Sequence, residues 1–250
     1  MAEQTFDIFH LCAVTISRQY GSGGGEIARR LAQQLDWQLI DHEIVARVAR
    51  EVGVSESEVE SEDERTESFI ARVVSAMLLA APPEYLVVVP PILSITEQQR
   101  LYHEAARHVI EEAARTRRVV IVGRGAQVLL GSRRDVVHIR VVAPLAKRIR
   151  YVMRRESLDE AAARDRIEHK DRDRTHFLQS EYHRHPNDPL LYDLIINTGV
   201  LDLDTAVDLI VLAMRRSAKL MGVPDEELGP GAGMDSYAGR PSDLRAPGGA

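Results

Sequence analysis

The chain has 250 residues, of which 44% are hydrophobic and 28% are charged, and its formal net charge at pH 7 is -6. This composition is typical of a globular protein and excludes collagen-like, mucin-like and disordered chains. Prolines interrupt the longest apolar windows, so no stretch predicts a membrane span, and the N-terminal residues do not match a signal peptide. A single cysteine, Cys12, excludes a disulfide framework and a cysteine metal cluster. We expect a cytoplasmic protein without a membrane partner.

The net charge has a local source. Residues 55–68 hold seven acids and one arginine, which leaves 31 basic and 31 acidic residues in the rest of the chain. We predict that this acidic stretch faces solvent and is not a metal site, because its charges alternate with serines. Residues 140–185 hold twelve Lys or Arg against eight Asp or Glu, which is compatible with a solvated helical face or with an anionic ligand. The scarcity of aromatic side chains favours a small phosphate ligand over a nucleic-acid polymer.

The first predicted element is a strand. The run LCAVTIS from Leu11 is apolar and rich in β-branched residues, and a glycine-rich turn follows it, which is typical of a buried parallel strand. A helix comes next, because Ile27, Leu31 and Leu35 recur at four-residue spacing. Residues 38–40 form the second predicted strand.

The rest of the chain continues the alternation of strands and helices. Residues 54–118 read mainly as helices and predict a helical insertion. From residue 222 the chain is rich in Gly, Pro and Asp, which predicts a flexible tail at 222–250 after a domain at 1–221. The pattern predicts an α/β fold, in which helices cover both faces of a parallel sheet and ligands bind at the carboxyl ends of the strands. Later strands are predicted at 119–122, 136–142 and 193–197.

A glycine-rich loop over residues 17–26 joins the first strand to the first helix. Exposed backbone N–H groups and the helix dipole favour an anion there, with phosphate as the natural ligand, although a turn without a ligand is the alternative. Glycines let the backbone curl around a ligand, so we expect that a branched side chain at Gly23 abolishes nucleotide binding and leaves folding intact. The predicted ATP- and phosphate-binding residues are Arg18, Gly21, Ser22, Gly23, Gly24, Gly25 and Glu26.

Two classes of phosphate-binding fold compete for this loop. A dinucleotide fold is favoured by Gly21-x-Gly23 after a strand and by Asp41 twenty residues after Gly21, but Glu26 stands at the third glycine position. A P-loop is favoured by the strand–loop–helix context, but Gly24 stands at the lysine position. The pattern of the loop by itself leaves both open.

Further motifs accompany the loop along the chain. They comprise residues 16–24 (ISRQYGSGG), residues 27–32 (IARRLA), Ile40-Asp41, Gly123-Arg124-Gly125, residues 143–145 with Arg148, and residues 192–199 (YDLIINTG). As a set they resemble the cytidylate kinase-like family over roughly residues 11–215. The resemblance implies a P-loop nucleoside monophosphate kinase fold with a helical NMP-binding insertion at about 54–118 and a mobile lid at about 156–186. It also implies ATP and Mg²⁺ as cofactors and small nucleotides as partners.

The resemblance also implies roles for individual residues. Residues 21–25 match the phosphate loop, Asp41 and Arg47 match the acceptor-binding motif after the second strand, and no metal ligand is assigned. The implied catalytic residues are Arg124, Asp171 and Arg174.

Three positions depart from the family pattern. Gly24 replaces the loop lysine, Gly125 replaces the Asp that follows Gly-Arg, and Ile167 stands at the first lid arginine. Arg18 is a candidate for the positive charge that Gly24 does not supply, although a pair with a neighbouring acid is equally compatible with the sequence. Glu26 is compatible with an approach to magnesium or with a favourable interaction with the helix dipole.

Three functions remain open from the sequence. The first is ATP-dependent phosphoryl transfer to a CMP-like nucleoside monophosphate or another small acceptor, a reaction that depends on positioning and on cations. The second is a regulatory nucleotide-binding protein that has lost catalysis, and the third is a dinucleotide-binding enzyme. ATP binding without transfer separates the second from the first, and NAD binding identifies the third.

Overall fold

A computed structural model describes residues 8–41 and 95–229 of the chain. Arg47, the acidic stretch 55–68 and the part of the predicted insertion before residue 95 lie outside the described residues, as does the predicted tail from residue 230. The expectations for those segments stay predictions.

Five strands alternate with helices along the described chain. All five predicted strands are confirmed, although the first starts at Ala13 instead of Leu11 and the last at Leu194 instead of Asp193. The strands are β1 (Ala13–Arg18), β2 (Gln38–Ile40), β3 (Val119–Val122), β4 (Val136–Val142) and β5 (Leu194–Asn197). The helices are α1 (Gly24–Leu35), α2 (Ile95–Thr116), α3 (Ala126–Leu129), α4 (Leu145–Glu156), α5 (Glu160–Tyr182) and α6 (Leu203–Leu220).

The strands form one parallel sheet in the order β2-β3-β1-β4-β5. The central strand β1 pairs with β3 on one side and with β4 on the other, so the carboxyl ends of these three strands lie next to each other at one edge. In the dinucleotide-binding fold β2 is the neighbour of β1, whereas here β3 lies between them. The strand order therefore sets the dinucleotide alternative aside.

Helices cover both faces of the sheet, as predicted. On one face, Val14 and Ile16 of β1 pack with Leu31 of α1 and Ile210 of α6. Because parallel strands are buried on both sides, their sequences are almost continuously apolar. Each fully buried aliphatic side chain of this kind stabilises the fold by about 1.5–3 kcal/mol.

The opposite face is covered by α2 and α3. Ala13 and Ile121 of the sheet pack there with Ile110 of α2 and Ala126 of α3. No helix among the described residues is long and apolar enough to cross a membrane.

A smaller cluster joins α4 to α5, at the edge where the strands end. Ile149 and Val152 of α4 pack against Ala163 and Ile167 of α5. Ile167, which stands at the position of the first lid arginine, is 1% exposed. The departure has a physical reason, because a charged side chain there would enter an apolar contact between two helices.

Because of His138 on β4, we expect the stability of the fold to depend on pH. Its ring Nδ1 lies 2.8 Å from Thr15 Oγ1, and burial lowers its pKa below 6.5, although the nearby Asp193 carboxylate partly opposes this. The unfolded chain therefore binds a proton that the folded chain does not, so stability falls as pH drops below about 6.5 and levels off below the folded pKa. One proton limits this slope to about 1.4 kcal/mol per pH unit.

Replacing His138 by Gln is expected to flatten that acid limb in thermal unfolding measured from pH 7 to pH 4. His169→Gln is the matched control, because His169 is 68% exposed and pairs with Asp173 on α5. An unchanged limb in the His138 variant would contradict the assignment.

Candidate functional site

The glycine-rich loop between β1 and α1 is held by its neighbours. Ser22 Oγ lies 2.9 Å from the Gln19 carbonyl oxygen and 3.2 Å from that of Val141, and Thr198 Oγ1 donates to the Ser22 carbonyl at 2.7 Å. Gly21 and Gly23 have φ values of +77° and +81°, which an L side chain rarely adopts. The loop is a fixed element at the start of α1, where the positive end of the helix dipole lies.

Glu26, predicted as a loop residue, points to arginines of its own helix. Its carboxylate pairs with Arg29 and with Arg30, the latter at 2.9 Å, and Arg30 also reaches Asp204 of α6 at 2.6 Å. These pairs are partly exposed and contribute little stability. Together, Arg29 and Arg30 engage both oxygens of the Glu26 carboxylate, which favours a role for Glu26 on the surface of α1.

The Gly123-Arg124-Gly125 turn after β3 has an unusual backbone. All three residues lie in the left-handed region, with φ values of +77°, +57° and +70°. For Arg124 this conformation costs roughly 1–2 kcal/mol, and such outliers are typical of functional sites. Gly125 is also enclosed, because a Cβ there would collide with the Tyr182 ring, so the Asp of the family pattern does not fit.

Four arginines surround a small cleft beside the loop, which we call the arginine cleft. It has a volume of about 60 Å³, and none of the described residues that line it is acidic. It combines one arginine from the end of β1, where the loop begins, one from the turn after β3, one from β4 and one from α5. These are Arg18, Arg124, Arg140 and Arg174.

The electrostatics of the arginine cleft favour an anion. Burial, together with the positive charges of Arg174 and Arg124, lowers the pKa of Arg18 to about 9, and Asp41 partly opposes this. Burial also lowers the pKa of Arg174. Asp171, whose Oδ1 lies 3.8 Å from Arg174 Nη1, and Tyr20 oppose this effect, whereas Arg140 and Arg124 add to it. The charges of Arg174 and Arg124 act against that of Arg18, and a bound anion would relieve this repulsion.

Arg140 was missed as a site residue from the sequence. It is 6% exposed and donates from Nη1 to Ser17 Oγ at 2.8 Å and from Nη2 to Asn187 Oδ1 at 3.2 Å. Its guanidinium also lies 5.6 Å from the centre of the Tyr192 ring. These partners are all neutral. The signal was available, because a charged residue in the middle of an apolar strand is rarely buried without a reason.

Helix α5 contacts the loop through two predicted residues. Asp171 accepts from the Tyr20 backbone N–H at 2.7 Å and from Arg148 Nη1 at 2.6 Å. Arg174 donates to the Arg18 carbonyl oxygen at 3.0 Å, and its guanidinium lies 5.4 Å from the centre of the Tyr20 ring. The structure therefore brings Asp171 and Arg174 to the loop, and Arg148 holds Asp171 in place.

Asp41 lies at the end of β2, close enough to Arg18 to influence its pKa. Of the predicted site residues, Arg18, Arg124 and Arg174 line the arginine cleft. Asp171 lies beside it on the loop, and Arg47 is outside the described residues.

Replacing Asp171 by Asn is expected to loosen α5 from the loop. Arg148, whose side chain is 9% exposed, would lose its counter-charge but keep its hydrogen bonds to the Ala143 and Tyr20 carbonyls. Since Asp171 is 28% exposed, we expect a loss of about 1–2 kcal/mol, or a Tm lower by roughly 2–8 °C.

Differential scanning calorimetry at pH 7 tests this expectation. Asp165→Asn on the exposed face of α5 is the matched control. Equal Tm values for both variants would show that the contact of Asp171 with Arg148 contributes no stability.

A solved structure with the same fold is known. The crystal structure of an uncharacterized protein from Eubacterium ventriosum aligns over 81% of this chain and 98% of that one, with a TM-score of 0.60 and 21% identity. Shikimate kinase from Bacteroides thetaiotaomicron aligns over 80% of this chain and 96% of that one, with a TM-score of 0.42 and 13% identity, which is too distant to inform the reaction.

Sequence comparisons give a partial relative and a family. A uronate isomerase from Corynebacterium glutamicum is 37% identical over 101 residues, which are 40% of this chain and 20% of that protein, so the chain spans about a fifth of that relative's length. The profile of the cytidylate kinase-like family matches residues 13–200, which include every strand of the sheet, the glycine-rich loop and the arginine cleft. With its P-loop kinase-like sheet and this match over most of its length, the chain belongs to the cytidylate kinase-like family.

Proposed function

We propose that the protein binds ATP at the glycine-rich loop and transfers its γ-phosphate to a small acceptor that carries a phosphate group, such as CMP. The observation that carries this proposal is the position of the arginine cleft directly beside the loop, at the same edge of the sheet. Two neighbouring anion sites are what a phosphate donor and a phosphorylated acceptor require. Membership of a kinase-like family supports the nucleotide as donor.

The side chains of the cleft supply the chemistry that such a reaction needs. Phosphoryl transfer develops negative charge on the oxygens of the transferring group, and positioned cations lower its barrier. In the proposal, Arg124 and Arg18 orient the acceptor phosphate, since guanidinium groups match phosphate oxygens in pairs. Arg174 adds charge from α5, and Asp171 holds that helix to the loop.

Magnesium would neutralise charge on the nucleotide phosphates when it is bound. The described residues contain no group of three or more carboxylate, histidine or cysteine side chains that could hold a metal. Ser22 Oγ bonds to two backbone carbonyls, and Glu26 pairs with arginines. The described residues therefore fit a magnesium ion whose ligands are phosphate oxygens and water molecules. The proposed roles of the arginines do not depend on this ion.

Three further segments of the chain have proposed roles around this site. Residues 156–186 would form a lid whose contacts with the loop, through Asp171 and Arg174, exclude water while donor and acceptor are bound. The part of residues 54–118 that precedes α2 would bind the nucleoside of the acceptor together with Asp41 and Arg47, since α2 itself packs on the sheet. Residues 222–250 would form a tail outside the domain at 1–221.

A ligand panel tests the proposed function. ATP, ADP, CMP, dCMP, UMP, AMP and NAD are added with and without magnesium, and the Tm is measured. A ligand at 100 times its Kd adds about 2.7 kcal/mol, or roughly 5–11 °C for a chain of this size. Transfer from labelled ATP to the same monophosphates is measured in parallel.

The expected result is stabilisation by ATP and by at least one monophosphate, with transfer between them. Binding of ATP without transfer to any monophosphate would refute the nucleotide kinase and favour a regulatory binding protein. That second candidate is supported by Gly24 at the position where the P-loop pattern has lysine. Binding of NAD alone would refute both.

A further inference from the structure

Gly24 is a glycine for reasons of space and not of backbone conformation. It is the first residue of α1 and is not among the residues with positive φ, so its backbone accepts any L side chain. A Cβ built at this position would lie 2.6 Å from the Cβ of Arg18 and 3.1 Å from its Cγ. The base of a side chain cannot swing away as its tip can. Position 24 is therefore closed to a side chain while Arg18 occupies this space.

The guanidinium end of the Arg18 side chain lies next to Gly123, at the end of β3. A Cβ built on Gly123 would collide with Nη1 of Arg18. The side chain thus runs from the start of α1 to the Gly123-Arg124-Gly125 turn, and its guanidinium lines the arginine cleft. Its positive charge stands between the phosphate loop and the carboxyl end of β3.

The charges around this guanidinium leave room for an oxyanion. Arg124 and Arg174 both act to lower the pKa of Arg18, and among the described residues Asp41 is the acid that opposes them. Arg140, in the same cleft, has neutral hydrogen-bond partners in Ser17 and Asn187. A cluster of this sign, partly desolvated, gains from a negatively charged ligand more than an exposed one would.

We propose that the cation of the phosphate loop has moved from position 24 to position 18 in this chain, where its guanidinium binds a phosphate-like oxyanion on the side of the loop that faces β3. The two positions form a matched exchange: a lysine at 24 needs the space that Cβ and Cγ of Arg18 fill, and would therefore need glycine at 18, whereas an arginine at 18 needs glycine at 24. The exchange stands without the proposed function. Only the identification of the oxyanion as the acceptor's phosphate rests on it.

The exchange is tested by the effect of Gly24→Ala on the Tm, which is measured with and without the Arg18 side chain. Gly→Ala at an unstrained helical position normally stabilises a protein, by roughly 1–4 °C in Tm for a chain of this size. Gly24→Ala is expected to lower the Tm in the wild-type background, and to raise it or leave it unchanged in the Arg18→Gly background, which removes the Cβ that lies 2.6 Å away. A rise in the wild-type background would overturn the exchange by itself, even if Arg18→Gly does not fold. Equal shifts in both backgrounds would overturn it as well.

Inorganic phosphate tests the oxyanion site directly. It is expected to raise the Tm of the wild-type protein and of the charge-matched control Arg216→Ala, whose residue is exposed on α6. In Arg18→Ala the apparent affinity for phosphate is expected to fall at least about tenfold, because a charge-assisted bidentate contact is lost. Equal affinity in all three proteins, or no stabilisation of the wild type, would refute the site. The ligand panel with ATP and monophosphates fails or succeeds separately, so failure of the proposed function is distinguishable from failure of the exchange.

Discussion

Replacing Arg124 by Met is expected to lower kcat for phosphoryl transfer about 100-fold or more, with a much smaller change in the Kd for ATP. Arg124 lines the arginine cleft beside the loop, where it would orient the acceptor phosphate for transfer. Since Gly24 offers only a backbone N–H, positive charge must come from magnesium and from such side chains. Steady-state kinetics with labelled ATP and calorimetric ATP binding measure the two effects separately.

The backbone of Arg124 provides a strict control. At a φ of +57° the change to Met keeps the conformational strain, whereas a change to Gly removes it. Arg124→Gly is therefore expected to retain or raise the Tm and still lose activity. Arg216→Met on α6 removes the same charge elsewhere and should leave kcat unchanged. Transfer at the wild-type rate in both Arg124 variants would leave the kinase activity in place and show that Arg124 is not needed for it.

Arg174→Met is expected to lower kcat similarly, but it also removes the hydrogen bond to the Arg18 carbonyl.

Gly23→Val is expected to destabilise the fold by about 2–5 kcal/mol, which replaces the expectation that folding survives this change. A side chain at Gly23 would point at α6, with its Cβ 2.8 Å from Leu203 Cδ2, and the φ of +81° is unfavourable for a β-branched residue. In thermal unfolding this corresponds to a Tm lower by about 10 °C. Loss of nucleotide binding in this variant would thus report a damaged fold as well as a damaged loop.

Gly25→Val is the matched control for Gly23→Val. A side chain at Gly25 meets no described atom within 4 Å, and the position is helical, so the Tm should stay within a few degrees of the wild type. Leu203→Ala combined with Gly23→Val is expected to recover the part of the loss that comes from the collision and to keep the part that comes from backbone strain. A wild-type Tm for Gly23→Val alone would contradict the packing of the loop against α6.

The sequence predicted the strands well because each is a short apolar run with polar or glycine-rich ends. Residues 119–122 and 136–142 match β3 and β4 in both boundaries. The order of the strands was beyond the pattern, because hydrophobic periodicity tells which face of an element is buried and not which element lies beside it. Knowing that β3 separates β1 from β2 required the structure.

The sequence predicted Arg18, Arg124 and Arg174 as candidate site residues. It did not predict that they lie next to each other in the fold. Contacts such as Asp171 with the Tyr20 N–H join positions far apart in the chain, and no local pattern encodes them. Arg140 was overlooked because it was counted within a basic segment instead of within its strand. The distinction lay in its neighbours, Ile139 and Val141, which are fully buried.

The central position of β1 has a consequence for the way the chain reaches its fold. Both partners of β1 come from roughly 100 residues further along the chain, so each pairing closes a long loop before it gains any contact energy. At about 5–20 residues per second, synthesis from β1 to β4 takes on the order of 5–25 s. For most of that interval, until β3 has been made, the apolar strand β1 has neither of its two partner strands. We expect refolding of this protein to be slow compared with helical proteins of similar size, and to be vulnerable to aggregation until β4 is present.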